Sequence, residues 1–157
     1  MDSRKTVLKN TDGTEANRMY LEVDSRSENE AFVRIAVAAF CTRLDPTLEE
    51  VEDIKTAVSE AVTNAVIHGY QGKNGIIMIQ AEIIEDVLEV KISDTGCGIS
   101  NIEQAREPLF TTKPDAERSG MGFSFMEIFM DELEVLSEPD VGTTIVMRKT
   151  IGQPLDE

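Results

Sequence analysis

The stretch Glu60-Ala-Val-Thr-Asn64-Ala-Val-Ile-His68-Gly69 decides how this chain is read. Its polar residues return every fourth position. Four residues of α-helix advance about 400°, so Glu60, Asn64 and His68 fall within roughly 80° of one another and make one polar stripe. Ile54, Ala57, Val58, Ala61, Val62, Ala65 and Val66 recur at i, i+3, i+4 and i+7 and occupy the neighbouring arc. The stripe therefore borders the core, where a cleft can form.

Two further motifs lie downstream. Asp94-Thr-Gly96-Cys-Gly98 ends a strand-like run. Its glycines let the backbone approach a ligand closely, and its carboxylate can accept a hydrogen bond from an exocyclic amine. Gly120-Met121-Gly122 opens a predicted helix, whose unpaired N–H groups and positive dipole end favour a phosphate, and Gly142-Thr143-Thr144 follows at a distance. A dinucleotide-binding reading fails because no Gly-x-Gly-x-x-Gly turn follows a first strand, and a Walker-type P-loop is absent.

Around these motifs the chain reads as a short strand at Tyr20–Val23, then a helix opened by Ser27 and Glu30 as a capping box and running to about Arg43. Asp45-Pro46 breaks it, and Thr47 with Glu50 caps the long second helix, which ends at Gly69. Strands over about 75–84 and 87–93 are joined at Glu85-Asp86, residues 99–119 form a long loop with one helical turn, and a helix over about 120–133 precedes two last strands. In that helix Met126, Phe129, Met130 and Leu133 share a face, which reads as core. This order gives an α+β two-layer sandwich, with helices on one face of a mixed sheet. Residues 1–18 lack periodicity and read as a disordered arm, 19–151 as the domain and 152–157 as a tail. A start at Met19 would also suit the pattern.

The 157 residues suit one domain, and a net charge of −15 argues against nucleic acid or an anionic membrane as a default partner. Cys41 and Cys97 are the only cysteines and no stretch resembles a signal peptide or a membrane span, which points to free thiols in a reducing cytoplasm. A single histidine leaves a structural zinc site without support.

Taken in order, the motifs resemble the ATP-binding fold shared by gyrase, the Hsp90 chaperones, histidine kinases and MutL. Within it, Pro108-Leu-Phe-Thr-Thr-Lys-Pro114 leading into Glu117-Arg-Ser-Gly-Met-Gly-Phe123 is similar to the small anti-sigma-factor serine kinases of spore-forming bacteria, over about residues 20–150. That resemblance implies ATP and magnesium as cofactors. It implies that Asp94, with Gly96 and Gly98, reads adenine, that Asn64 holds magnesium, and that Glu60 is the catalytic base for a serine hydroxyl. It assigns phosphate contacts to Arg118 and Ser119 and to the helix end at Gly120, Met121 and Gly122, in a lid where Thr111, Thr112 and Lys113 supply further hydroxyls and a cation. Lys113 suits a solvated loop equally well, and Thr143 either bonds the adenine or simply starts a strand. His68 reads as a residue that meets the helix C-terminus, and Cys97 as packing.

The resemblance further implies a homodimer whose surface is shared by a sporulation sigma factor and an anti-anti-sigma protein, with Arg34 in the contact. On the first helix, Phe32, Ile35, Ala36, Ala39 and Phe40 are expected to face the core, leaving Glu30, Arg34, Val37 and Cys41 outward. Two alternatives stand beside the serine kinase: a histidine-kinase-type catalytic domain and an ATP-regulated binding module without phosphotransfer. The only histidine belongs to the nucleotide motif rather than to a phosphoacceptor helix pair, which favours the serine kinase.

Overall fold

The computed structural model describes residues 16–107 and 122–152. Its elements are β1 (Asn17–Asp24), α1 (Asn29–Phe40), α2 (Leu48–Asn64), β2 (Ile76–Ile84), β3 (Val87–Asp94), α3 (Ile102–Ala105), α4 (Gly122–Phe129), β4 (Glu132–Glu138) and β5 (Gly142–Thr150). A 3-10 turn at Cys41–Leu44 extends α1, and a π turn at Ala65–Gly69 extends α2.

The five strands lie in the order β1-β2-β3-β5-β4. All four pairings are antiparallel, which corrects the mixed sheet expected from the sequence. The physical reason is the placement of β5. With α4 between them, β3 and β4 run parallel, but β5 inserts between the two and pairs antiparallel to both. Two helices between β1 and β2 likewise return the chain antiparallel to its start.

Strand alternation decides which face is covered. Ile77, Ile79, Ala81 and Ile83 of β2, with Leu88, Val90 and Ile92 of β3, are buried and meet Ile54, Ala57, Val58, Ala61 and Val62 of α2 in one core. The opposite face is polar. There Arg148 bonds Glu89 at 2.7 Å and Glu132 at 3.0 Å across three neighbouring strands. Such exposed pairs contribute little net stability, so burial on the helix side carries the fold.

Helix starts differ from one another for a local reason. Thr47 and Glu50 form the expected reciprocal box, with the Glu50 N–H donating to Thr47 Oγ1 at 3.1 Å and the Thr47 N–H to Glu50 Oε1 at 2.9 Å. Ser27 and Glu30 do not. The N-cap of α1 is Glu28 without a side-chain cap, because the Glu30 carboxylate is taken instead by Arg34 and by Ser59 on α2.

The facing of α1 is the reverse of the expectation. Val33, Val37, Ala38 and Cys41 are buried, whereas Phe32 and Ile35 are each 56% exposed and Ala39 is exposed. α1 carries apolar residues around most of its circumference, so periodicity alone leaves its phase ambiguous. Its small side chains fit the narrow gap against α2, and the bulky ones are left outside. The last helix is also shorter than expected: it stops at Phe129, and Leu133 belongs to β4.

Candidate nucleotide site

The capped start of α2 and its buried face fix the rotation of the helix, and that rotation leaves Glu60 and Asn64 half-buried at the edge of the core. After Asn64 the helix widens into the π turn, closed by the Tyr70 N–H donating to the Ala65 carbonyl at 2.9 Å. Extra-wide turns of this kind are frequent at functional sites. His68 lies in that turn, half-buried, so the straight α-helical stripe ends at Asn64 rather than at His68.

The π turn carries Gly69 against the end of β3. A Cβ placed on Gly69 would lie 2.8 Å from the Asp94 carboxyl carbon, and one on Gly96 would lie 2.0 Å from the Gly69 carbonyl oxygen. Both positions need glycine for want of space. The Cys97 N–H donates to that same carbonyl at 2.9 Å, and the Cys97 thiol donates to the His68 carbonyl at 3.1 Å. Cys97 thus fastens the loop after β3 to the π turn. Gly98 has φ +72, the left-handed region, and passes under the Glu138 carbonyl, where a Cβ would lie at 2.1 Å.

Asp94 is 6% exposed, and the Gly96 N–H donates to its Oδ1 at 2.9 Å. Burial pushes its carboxyl above the ordinary 3.8, against the opposing pull of the Gly96 and Thr143 N–H groups. Thr143 faces Asp94 across the β3–β5 ladder and is itself buried. Its hydroxyl pairs with Ser137 Oγ at 2.8 Å, and Ser137 also accepts from the Ile99 N–H at 2.7 Å and donates to the Gly142 carbonyl at 3.0 Å. One serine therefore joins the loop after β3, β4 and β5.

Tyr70 does the same on the other side. Its hydroxyl donates to the Ile76 carbonyl at 2.5 Å and accepts from the Thr95 N–H at 2.9 Å. Neither Ser137 nor Tyr70 is singled out by the sequence, since each acts through a partner distant along the chain. Tyr70 directly after the helix-ending Gly69 is the one local signal.

The structure brings Asp94, Gly96 and Thr143 together with Gly69 at the end of β3, with Gly98 close by in the same loop, while Glu60 and Asn64 lie on α2 in the turns that precede Gly69. α4 packs on α2 through Phe123 and Met126, with Gly122 at its first turn. The expected contributions of Thr111, Thr112, Lys113, Arg118, Ser119, Gly120 and Met121 lie outside the described residues. Arg34 is found elsewhere than expected, in a cleft between α1 and α2 rather than on an outward face. It donates to Glu30 at 2.7 Å and 3.0 Å, and with Lys55, Ser59 and Glu60 it lines a cavity of about 230 Å³.

A helix-covered antiparallel sheet with a buried aspartate at the end of β3 and a polar stripe on the packed helix defines a histidine kinase-like ATPase domain; the model of that family matches residues 23–149. The catalytic domain of the histidine kinase ThkA in a nucleotide-free form has the same fold, with TM-score 0.54 and 18% identity over 85% of this chain and 96% of that one. Much nearer in sequence are the anti-sigma F factors of Clostridium perfringens, 58% identical over 87% of this chain and 98% of that protein, and of Clostridium beijerinckii, 60% identical over 85% and 94%. That of Halalkalibacterium halodurans is 56% identical over 85% and 92%. The chain belongs to the anti-sigma F factor family. Among the described residues, no helix is long and apolar enough to cross a membrane.

Proposed function

We propose that this protein binds and inhibits a sporulation sigma factor and uses magnesium ATP to phosphorylate a serine of an anti-anti-sigma protein. The observation that carries this reading is the arrangement along one helix. Glu60 and Asn64 lie one turn apart on α2, and the same helix ends at Gly69 in contact with the Asp94 carboxylate. Nine residues separate Glu60 from Gly69, on the order of 13 Å along the axis, a span that an extended nucleoside triphosphate bridges.

The donor set suits that ligand. Asp94, whose charge burial disfavours and the Gly96 and Thr143 N–H groups favour, accepts the adenine amino group through a carboxyl oxygen, and Thr143 lies beside it in register. Asn64 would hold magnesium through its carbonyl oxygen, a hard ligand, and the metal supplies charge neutralisation between the phosphates. By family resemblance, Thr111, Thr112, Lys113, Arg118, Ser119, Gly120, Met121 and Gly122 would contact the phosphates.

Glu60 then takes the proton from the acceptor serine hydroxyl. A bond forms between the serine oxygen and the terminal phosphorus, the bond from that phosphorus to the bridging oxygen breaks, and ADP leaves with its electron pair. Self-association and the sigma factor call for exposed surface on α1. Phe32 and Ile35 supply apolar contact area there, and Arg34 supplies a cation whose stem packs between the helices.

The test is to incubate the protein with labelled ATP, magnesium and an anti-anti-sigma partner, and to map the labelled residue. Phosphoserine on the partner is the expected product. Phosphohistidine would turn the reading to the histidine kinases that share the fold, and nucleotide binding without transfer would turn it to a regulated binding module.

A further inference from the structure

Resting on the serine-kinase reading, we infer that the cleft between α1 and α2 seats the acceptor segment, and that Lys55 reads an acidic side chain two residues away from the acceptor serine. The cleft is lined by Arg34 from α1 and by Glu52, Lys55, Thr56, Ser59 and Glu60 from α2. The five positions on α2 are spaced i, i+3, i+4, i+7 and i+8, so they form a continuous polar track on one helix face. That track leads to Glu60, which receives the acceptor's proton. A segment lying along it presents its hydroxyl to Glu60 and its neighbours to Ser59, Thr56 and Lys55.

Two cations line the cleft, and their present partners decide which is exchanged. Arg34 is held by Glu30 at 2.7 Å, and Glu30, whose side chain is only 19% exposed, is also bonded by Ser59 across the helix interface. Removing Arg34 from that set would strip a half-buried carboxylate of its charged partner. Lys55 is paired instead with Glu52 at 3.4 Å, and the Glu52 side chain is 71% exposed. Water replaces Lys55 at Glu52 with little loss, so Lys55 is the cation that can change partners. Five residues advance about 7.5 Å along the helix and about 140° around it, so Lys55 and Glu60 stand at the two edges of the track. An extended peptide covers the axial distance in roughly two residues, and the flexible four-carbon stem of Lys55 spans the lateral offset.

The experiment uses the full-length protein and the serine-bearing acceptor protein. Each acidic residue near the acceptor serine is replaced singly by its amide or by lysine, on both sides of the serine. Lys55→Glu is expected to raise the acceptor KM by about tenfold or more, with kcat and ATP affinity near wild type. The acceptor carrying lysine two residues from its serine should be a poor substrate of the wild type and be restored by Lys55→Glu. A wild-type acceptor KM in Lys55→Glu, or a failure of the reversed pair to restore transfer, overturns the assignment of Lys55 while wild-type transfer continues. Absence of serine transfer by the wild type is a different result, and it overturns the kinase reading together with this one.

Discussion

The two ends of the candidate site are held by different kinds of contact. Around Asp94, backbone meets backbone: the Cys97 N–H is bonded to the Gly69 carbonyl, Gly96 has no room for a methyl, and the Ser137 hydroxyl joins three segments. Around Glu60, the neighbours Ser59, Glu30 and Arg34 are joined side chain to side chain across two helices, at partly buried positions. A region fixed by backbone contacts presents one shape and rejects added volume. Within this region Arg34 is held by Glu30, whereas Lys55, whose partner Glu52 is exposed, can exchange partners at modest cost, which suits recognition of another protein. Under the proposed function, nucleotide selection and partner selection would thus draw on separate physical resources.

The sharpest way to separate the ends is at Glu60. If the carboxylate takes the serine proton, Glu60→Gln should leave ATP affinity unchanged and lower phosphotransfer by roughly 10²–10⁴-fold. Single-turnover transfer with calorimetry on the same sample would show it. A parallel loss of ATP binding would mean that the two ends are not separable.

Next in size is Gly96→Ala at the other end. The new methyl would meet the Gly69 carbonyl at 2.0 Å, and that carbonyl is backbone already bonded to Cys97. We expect a destabilisation of at least about 2 kcal/mol in urea unfolding, with nucleotide binding weakened as well. A wild-type urea midpoint would show that the Asp94 end is more compliant than its contacts imply.

Asp94→Asn should split function from stability. Adenine recognition would exchange a carboxyl acceptor for an amide that can present its NH2 group to the adenine amine, at a cost of about 1–3 kcal/mol in ATP affinity. The nucleotide-free protein should not suffer. Because burial raises the folded carboxyl above the ordinary 3.8, this group favours the fold most when protonated, and that contribution is lost as pH rises through the folded value. At neutral pH the amide should therefore match or exceed wild-type stability, and any excess should shrink as pH is lowered toward 3.8. Urea titrations at several pH values would check the sign.

How much of this the sequence reveals depends on the kind of contact. The phase of α2 is legible because Glu60 and Asn64 stand against a run of small apolar residues, and the Thr47–Glu50 box marks its start. The Asp94 loop is legible because a close backbone approach demands glycine at fixed spacing. Glu30 is not, since its partner Ser59 lies 29 residues away and its position three residues after Ser27 imitates a capping box. The antiparallel sheet is missed because insertion of β5 between β3 and β4 leaves no local signature.

α1 offers the smallest effect and the cleanest test of its corrected phase. With Phe32 half outside, Phe32→Ser should change monomer stability by less than about 0.5 kcal/mol, the usual range for surface positions. Truncating buried Val37 to alanine should cost several times that, because it leaves a void against α2. Had the larger side chains faced the core, the order would be reversed. Unfolding must be measured at low protein concentration, since a residue that packs against a second copy would acquire a concentration-dependent contribution. Sedimentation of the same Phe32 variant supplies the complement. Weaker self-association with an unshifted monomer midpoint would mark the exposed side of α1 as contact surface, and unchanged self-association would place the dimer contact on another part of the molecule.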